Sequence, residues 1–314
     1  MNSYKYFFFV LMVLVACNKN NSFVQLLSSN VTINLCDGNQ QLESDVSILS
    51  FNRLNKTSLS SISEVIEVLD PDIIGLQESY DMGLIIADRF NYCFYGNQES
   101  SVAILSKYMI EGVNDIQAKI FLNDSLFFNF FNVHFTAYPY QPYDIRDTLI
   151  TTSNQAVHQA EQTRGLEVTE LVSLVDLTRI ENNMPIVITG DFNEPSHLDW
   201  VLGAENPINF NFANSASQFV VNWPSSIKMT DSNLTDLYRE FYPDPISKPG
   251  YTWTPNNSIS EVHDRIDFIY YDSQKTLIPE SVIVIGPDNH SDLKIDNYES
   301  DHRGVFSVFS LELN

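Results

Sequence analysis

A chain of 314 residues, 44% of them hydrophobic, is long and apolar enough for one large domain or two of modest size with a sizeable core. Forty acidic against 17 basic residues give a net charge of -23, which repels polyanions at long range and disfavours a non-specific nucleic-acid glove unless a local basic patch or bound metal compensates. Cys17, Cys36 and Cys93 are the only cysteines, too few for a disulfide framework or a thiolate metal cluster. A single Cys36–Cys93 bridge and two free core cysteines both remain open.

In chain order, Met1–Lys5 is short and polar with one positive charge, and Tyr6–Ala16 is an apolar run too short to span a bilayer. Residues 1–16 therefore read as an export signal. The signal ends in Leu14-Val15-Ala16-Cys17, which resembles the lipobox of bacterial lipoproteins and would anchor the chain to a membrane through Cys17. The alternative is a plain secretory signal cleaved near Ala16. Asn20, Asn30, Asn55, Asn123, Asn233, Asn256 and Asn289 all sit in Asn-x-Ser/Thr sequons, the pattern of an exported glycoprotein, although an Asn-rich chain produces many by chance. Residues 17–30 read as a polar tether, and 31–314 as one domain.

Val46–Asn52 alternates as a half-buried strand, and Ser58–Leu69 carries apolar residues at helical spacing until Asp70-Pro71 stops it. Ile73–Gln77 is a second buried strand ending at Glu78. Strand, helix, strand implies parallel pairing, with Asn52 and Glu78 at one edge of one sheet. Val102–Leu105 and Phe127–Phe135 are further strands, the latter containing Asn132-Val133-His134. A Tyr-rich segment, Tyr138 to Tyr143, precedes a helix expected from about Gln155 to Leu177. Pro185–Ile188 is an apolar run buried on both faces, and Gly190 lets Asp191 and Asn193 emerge together at its C-terminal end, where α/β proteins place their chemistry. Pro207–Thr230 lacks a clear period and reads as a long loop. Ile266–Tyr271 is a strand opening on Arg265 and Asp267, and Val305–Leu313 is a closing strand after Ser300-Asp301-His302.

The strand ends thus collect Asn52, Glu78, His134, Asp191, Asn193, Asp267, Asp301 and His302. Taken singly, each has an ordinary explanation as a turn residue, an exposed carboxylate, a core-edge histidine or, for Asp267, a partner of Arg265. Their recurrence at successive strand ends favours a joint role. Carboxylates and amides without cysteine suit a hard cation such as Mg²⁺, with Glu78 as the foremost ligand, and a histidine oriented by an aspartate gains basicity.

Ser50-Phe51-Asn52, Pro71 to Glu78, Asn132-Val133-His134, Gly190-Asp191-Phe192-Asn193, Gly250-Tyr251-Thr252-Trp253, Arg265 to Ile269 and Ser300-Asp301-His302-Arg303 resemble, in order, the signatures of the endonuclease/exonuclease/phosphatase superfamily. The resemblance covers the chain from about Val46 to its C-terminus. It implies a four-layered α/β sandwich, two packed β-sheets flanked by helices, and metal-dependent cleavage of phosphate esters. Glu78 then matches the principal metal ligand, with Asn52 beside it and Asp301 contributing. Asp191 matches the carboxylate that orients or deprotonates water, Asn193 the amide that steadies the phosphate, His302 the histidine at the scissile phosphate with Asp267 as its orienting carboxylate, and His134 the histidine that assists the leaving group. The expected cation is Mg²⁺, with Mn²⁺ and Ca²⁺ as alternatives.

Tyr138–Arg164 is the expected specificity region, with Tyr138, Tyr140, Tyr143 and Arg146 as substrate-binding residues and Arg164 and His158 nearby; an aromatic-capped loop is the plainer reading. The expected protein is a monomeric, exported phosphodiesterase or phosphatase, secreted or lipid-anchored on the outer face of a membrane, acting on a small or lipid-linked phosphoester. A secreted deoxyribonuclease-like nuclease is the alternative, with duplex DNA the less favoured substrate. A catalytically silent binding module is disfavoured by the intact residue set.

Overall fold

The computed structural model describes residues 24–27, 31–34, 45–123, 126–204, 220–258, 260–273 and 277–311. The export signal expected over 1–16 lies outside them. Within the stretch read as a tether, Val24–Leu27 is a strand, β1, paired with β2 (Val31–Asn34). β3 (Asp45–Asn52) and β4 (Ile73–Gln77) run parallel with Asn52 opposite Gln77, as the strand-helix-strand order requires. Their crossover is α1 (Leu59–Leu69). Ser58 caps it by accepting from the Ser61 N–H, and Asp70 ends it in the left-handed region before Pro71. Ile62, Val65 and Ile66 form its buried face.

Further elements complete this half, one of them the expected Val102–Leu105 strand and two that escape the strand and helix patterns. α2 (Tyr80–Phe90), β5 (Cys93–Asn97) and β6 (Val102–Ser106) follow β4. β7 (Met109–Asn114), β8 (Gln117–Phe121) and β9 (Phe127–His134) form a meander of the second sheet. Next come α3 (Gln141–Arg146), inside the Tyr-rich segment, and α4 (Ser153–Glu181), one turn longer than expected at its C-terminal end. β10 (Ile186–Asp191) is buried throughout. Pro207–Thr230 is not a loop over its whole length: Pro224–Asp231 is helix α5, opened by a proline in its first turn, while 205–219 lie outside the described residues. β11 (Thr235–Asp236), α6 (Leu237–Phe241), β12 (Asp267–Tyr271), β13 (Leu277–Gly286), β14 (Leu293–Lys294) and β15 (Gly304–Leu311) complete the chain.

Nine strands form one sheet in the order β1-β2-β5-β6-β4-β3-β15-β13-β14, and six form the other, β11-β12-β10-β9-β8-β7. Val46, Ile48, Ile73 and Ile104 of the first pack against Phe128, Phe130, Val187 and Ile269 of the second. The first sheet buries its other face under α1 and α2, and the second under α4 and α5. This is the expected four-layered sandwich. The sheets come closest beneath the strand ends, where a Cβ on Gly75 would lie 1.9 Å from Thr189 Oγ1. Polar side chains tie the layers there: Asn132 Nδ2 donates to the carbonyls of Leu76 and Ala103 at 2.9 Å each, and Gln77 Nε2 donates to Asn132 Oδ1 at 2.6 Å. A buried polar network with partners on both sheets fixes their relative position, which apolar packing alone specifies weakly.

Cys93 is buried and disulfide-bonded, so it is not a free core thiol; Cys17 and Cys36 lie outside the described residues. Among the described residues no helix is long and apolar enough to cross a membrane.

Candidate active site

The register of the second sheet places three expected residues in one row. His134 faces Asp191 across the parallel β9–β10 pair, and Asp191 faces Asp267 across the antiparallel β10–β12 pair. Residues directly opposite in a sheet project from the same face, so all three meet at one end. Asn52 reaches the same point from the first sheet: its Nδ2 donates to Asp191 Oδ2 at 2.9 Å. His134 Nε2 and His302 Nε2 each lie 3.6 Å from that oxygen. Asp191 is therefore the hub of a site built across both sheets.

His302, just before β15, holds Asp267 Oδ2 through Nδ1 at 2.9 Å, which leaves Nε2 facing Asp191. Burial alone would lower its pKa, but the carboxylates of Asp267 and Asp191 outweigh burial and raise it to about 10. His302 is thus an imidazolium at neutral pH. Asn193, at φ 49°, closes an Asx-type turn in which its N–H donates to Asp191 Oδ1 at 2.9 Å, and its Nδ2 donates to the Phe135 carbonyl at 3.0 Å.

Asp301 lies close enough to Glu78, His302 and Asp191 to feel all three charges. Glu78 Oε2 accepts from the Asn55 N–H at 2.7 Å. Burial pushes the Asp301 carboxyl up, His302 opposes that, and Glu78 and Asp191 add repulsion. Asp301 Oδ1 is buried without a hydrogen-bond partner among the described residues. An orphaned carboxylate oxygen repelled by neighbouring acids fits a divalent cation, which would supply the missing partner. Among the described residues Asn52 Oδ1 accepts from the Leu54 N–H alone, leaving one lone pair for such an ion. Asp191, Asp267 and His302 also bring one ligand atom each within 4.8 Å of one another and could hold a metal. As an imidazolium, however, His302 has no lone pair to give a metal, so the Glu78–Asp301 side suits a cation better, although Asp267 Oδ1 is also buried without a hydrogen-bond partner among the described residues.

The expected substrate wall is mostly engaged elsewhere. Tyr138 is exposed, but Tyr140 is buried with its hydroxyl donating to Asp264 Oδ2 at 2.7 Å, so it anchors the loop and offers no face to a ligand. Tyr143 donates to Glu261 Oε1 at 2.6 Å, and Arg146 is taken up by Asp147, by the Ser260 carbonyl and by the Tyr143 ring. Arg164 is buried, paired with Glu194 at 3.1 Å and donating to the carbonyls of Thr136 and Pro139. It holds the loop after His134 against the turn after Asn193. His158 is exposed on α4. Arg265 does not pair with Asp267; it pairs with Asp236 and Asp199. Trp253, to which the sequence reading gave no role, lies 4.9 Å from the His302 ring and donates through Nε1 to the Tyr143 hydroxyl at 3.1 Å.

Asp264 gives a pH test of this scaffold. Burial raises its pKa to about 7 against 3.8 for a solvated aspartate, with hydrogen bonds from Tyr140 and Trp200 working the other way. A raised carboxyl contributes stability that is full below the unfolded value and lost as pH climbs through about 7. Asp264→Asn, which can still accept from Trp200, should therefore gain thermal stability relative to the parent between roughly pH 4 and pH 8. Parallel melting curves across that range would count against a protonated Asp264.

Two stacked sheets carrying a histidine-aspartate couple, a buried acidic hub and a cation-fitting carboxylate pair at their ends define a class, phosphate-ester hydrolases built on an α/β sandwich. The sequence pattern of the Endonuclease/Exonuclease/phosphatase family matches residues 42–302, and the chain belongs to that family, whose enzymes use divalent metals. It is an enzyme acting on phosphate ester bonds. An uncharacterized Caenorhabditis elegans protein, F14F9.5, is 25% identical over 297 residues, covering 84% of this chain and 91% of that protein. Truncated TDP2 of Caenorhabditis elegans shares the fold at a TM-score of 0.52 and 16% identity, over 85% of this chain and 98% of that one. An AP endonuclease from Archaeoglobus fulgidus does so at 0.52 and 17%, over 84% and 99%.

Proposed function

We propose that the chain is an exported, divalent-metal-dependent phosphodiesterase or phosphatase acting on a compact or lipid-linked phosphoester. The observation that carries the reading is the convergence of Asn52, His134 and His302 on Asp191 Oδ2. Asp191 orients the attacking water and takes its proton at Oδ2. His302, positive and held by Asp267, offsets charge on the phosphoryl oxygens, Asn193 steadies the phosphate, and His134 serves the leaving group. A divalent cation held by Glu78, Asp301 and Asn52 would supply Lewis-acid charge at the phosphoryl group; the all-oxygen set suits Mg²⁺, Mn²⁺ or Ca²⁺.

Export is supported by the apolar Tyr6–Ala16 run and by the disulfide at Cys93, a bond that persists in oxidising compartments. The net charge of -23 weighs against the nuclease reading, since a duplex presents a charge every ~1.7 Å along its axis and needs cationic contacts well outside the catalytic centre. The test is kcat/KM for bis-nitrophenyl phosphate, inositol phosphates and phospholipid headgroup substrates beside duplex DNA, at two salt concentrations with saturating Mg²⁺. Small or headgroup substrates should be turned over efficiently. DNA cleavage that falls steeply with salt, with negligible turnover of every small substrate, would establish the secreted nuclease instead.

A further inference from the structure

Sequons arise by chance in an Asn-rich chain, but chance would place them on buried asparagines as readily as on exposed ones. Four sequons have all three residues among those described: Asn55-Lys56-Thr57, Asn233-Leu234-Thr235, Asn256-Asn257-Ser258 and Asn289-His290-Ser291. All four asparagines are exposed and lie outside helices and strands. The buried asparagines Asn52, Asn129, Asn132 and Asn193 are followed by Arg-Leu, Phe-Phe, Val-His and Glu-Pro, so none is in a sequon. Exposed asparagines outside sequons also occur, Asn91 and Asn154 among them, so the informative direction is that no sequon lying wholly among the described residues falls where a glycan could not stand.

From this distribution we propose that the chain carries N-linked glycans at Asn55, Asn233, Asn256 and Asn289, two of them at the rim of the active site. The proposal rests on the export reading and is independent of the catalytic one. In the modification, Asn Nδ2 bonds to the anomeric carbon of a lipid-diphosphate-linked oligosaccharide, the glycosyl–phosphate bond breaks, the lipid diphosphate leaves, and one amide proton passes to the transferase. The disulfide at Cys93 points to the same oxidising compartment.

The rim positions follow from contacts already described. Asn55 touches Glu78 through its backbone N–H, so its side chain is free to carry a glycan without breaking that bond. Asn256 Nδ2 donates to Glu261 Oε2 at 3.3 Å, and Glu261 leads through Tyr143 and Trp253 to His302. An N-linked amide keeps one hydrogen, which suffices for the bond to Glu261. Glycans at these two positions, one beside Glu78 and one linked through Glu261, Tyr143 and Trp253 to His302, would narrow the approach for an extended strand more than for a compact ester.

The experiment is secretion of the full chain under its own leader from a eukaryotic host, followed by enzymatic release of N-glycans, which converts each modified asparagine to aspartate, and peptide mass spectrometry. Conversion at all four positions is expected, with one glycan lost in each single Asn→Gln variant. A secreted chain with Asn55 and Asn256 unconverted overturns the proposal while leaving export intact. A chain retained in the cytosol under its own leader, yet glycosylated behind a foreign one, overturns the export reading and the proposal with it. Neither outcome bears on catalysis.

Discussion

Glu78→Gln should lower kcat by about 10³- to 10⁴-fold, because the charge holding a Lewis-acidic cation is worth several kcal/mol and each factor of ten is ~1.4 kcal/mol. The substitution is nearly isosteric, and the amide oxygen can still accept from the Asn55 N–H, so the turn after β3 should survive. Removing one of two neighbouring acids also relieves the repulsion that raises Asp301. The chelated variant should therefore melt no lower than the chelated parent. Only the parent should gain thermal stability on adding Mg²⁺ or Mn²⁺, since a ligand stabilises a fold in proportion to its occupancy of the native state. Metal titration by calorimetry and by melting temperature thus reads the site without any assay of turnover. A variant that binds Mn²⁺ as tightly as the parent, or full hydrolysis by the parent after exhaustive chelation, would remove Glu78 from the role.

The sequence made the site more legible than the region around it. His134, Asp191 and Asp267 stand at strand ends whose apolar runs are readable, and register aligns them without further information, whereas Asn52 ends a strand of the other sheet and meets them through the packing of the two sheets. The β5, β7 and β8 strands were not legible because their apolar residues follow neither a clean alternation nor a long unbroken run, whereas β13 does carry an apolar run, Val282–Ile285, behind an irregular stretch around Pro279. The engagement of Tyr140, Tyr143 and Arg146 was not legible for a different reason. Exposed tyrosines and an arginine beside a catalytic strand look like a pocket wall, but Asp264, Glu261 and Ser260, more than a hundred residues later, take up their polar atoms. Composition cannot report a partner so distant in sequence. Arg164 failed likewise: only Glu194, one residue past the Asp-Phe-Asn motif, reveals it as a buried clamp. A signal was present for Trp253, which sits in a motif of the family, but nothing in its spacing announces that its ring meets His302.

His302→Ala should cost about 10²- to 10⁴-fold in kcat, the range expected when a positioned acid-base group is lost. Asp267→Asn should cost a substantial part of the same, because the buried Nδ1 contact at 2.9 Å both fixes the ring and holds its proton. Asp267 is fully buried, with Oδ2 taken up by the imidazole and Oδ1 without a hydrogen-bond partner among the described residues, so its path to the reacting phosphate runs through His302. Once His302 is gone, removing Asp267 should add little, and the double variant should match His302→Ala rather than the product of the two losses. Asp191 makes the contrast, since its Oδ2 also takes the Asn52 amide and faces His134, contacts that persist without His302. Asp191→Asn combined with His302→Ala should therefore fall well below either single variant. Single-turnover rates for the three single and two double variants, all at saturating Mg²⁺, decide the matter. Multiplicative losses for Asp267 with His302 would show that the carboxylate acts on the substrate by a path other than the imidazole, and the orienting role assigned to it would have to be withdrawn.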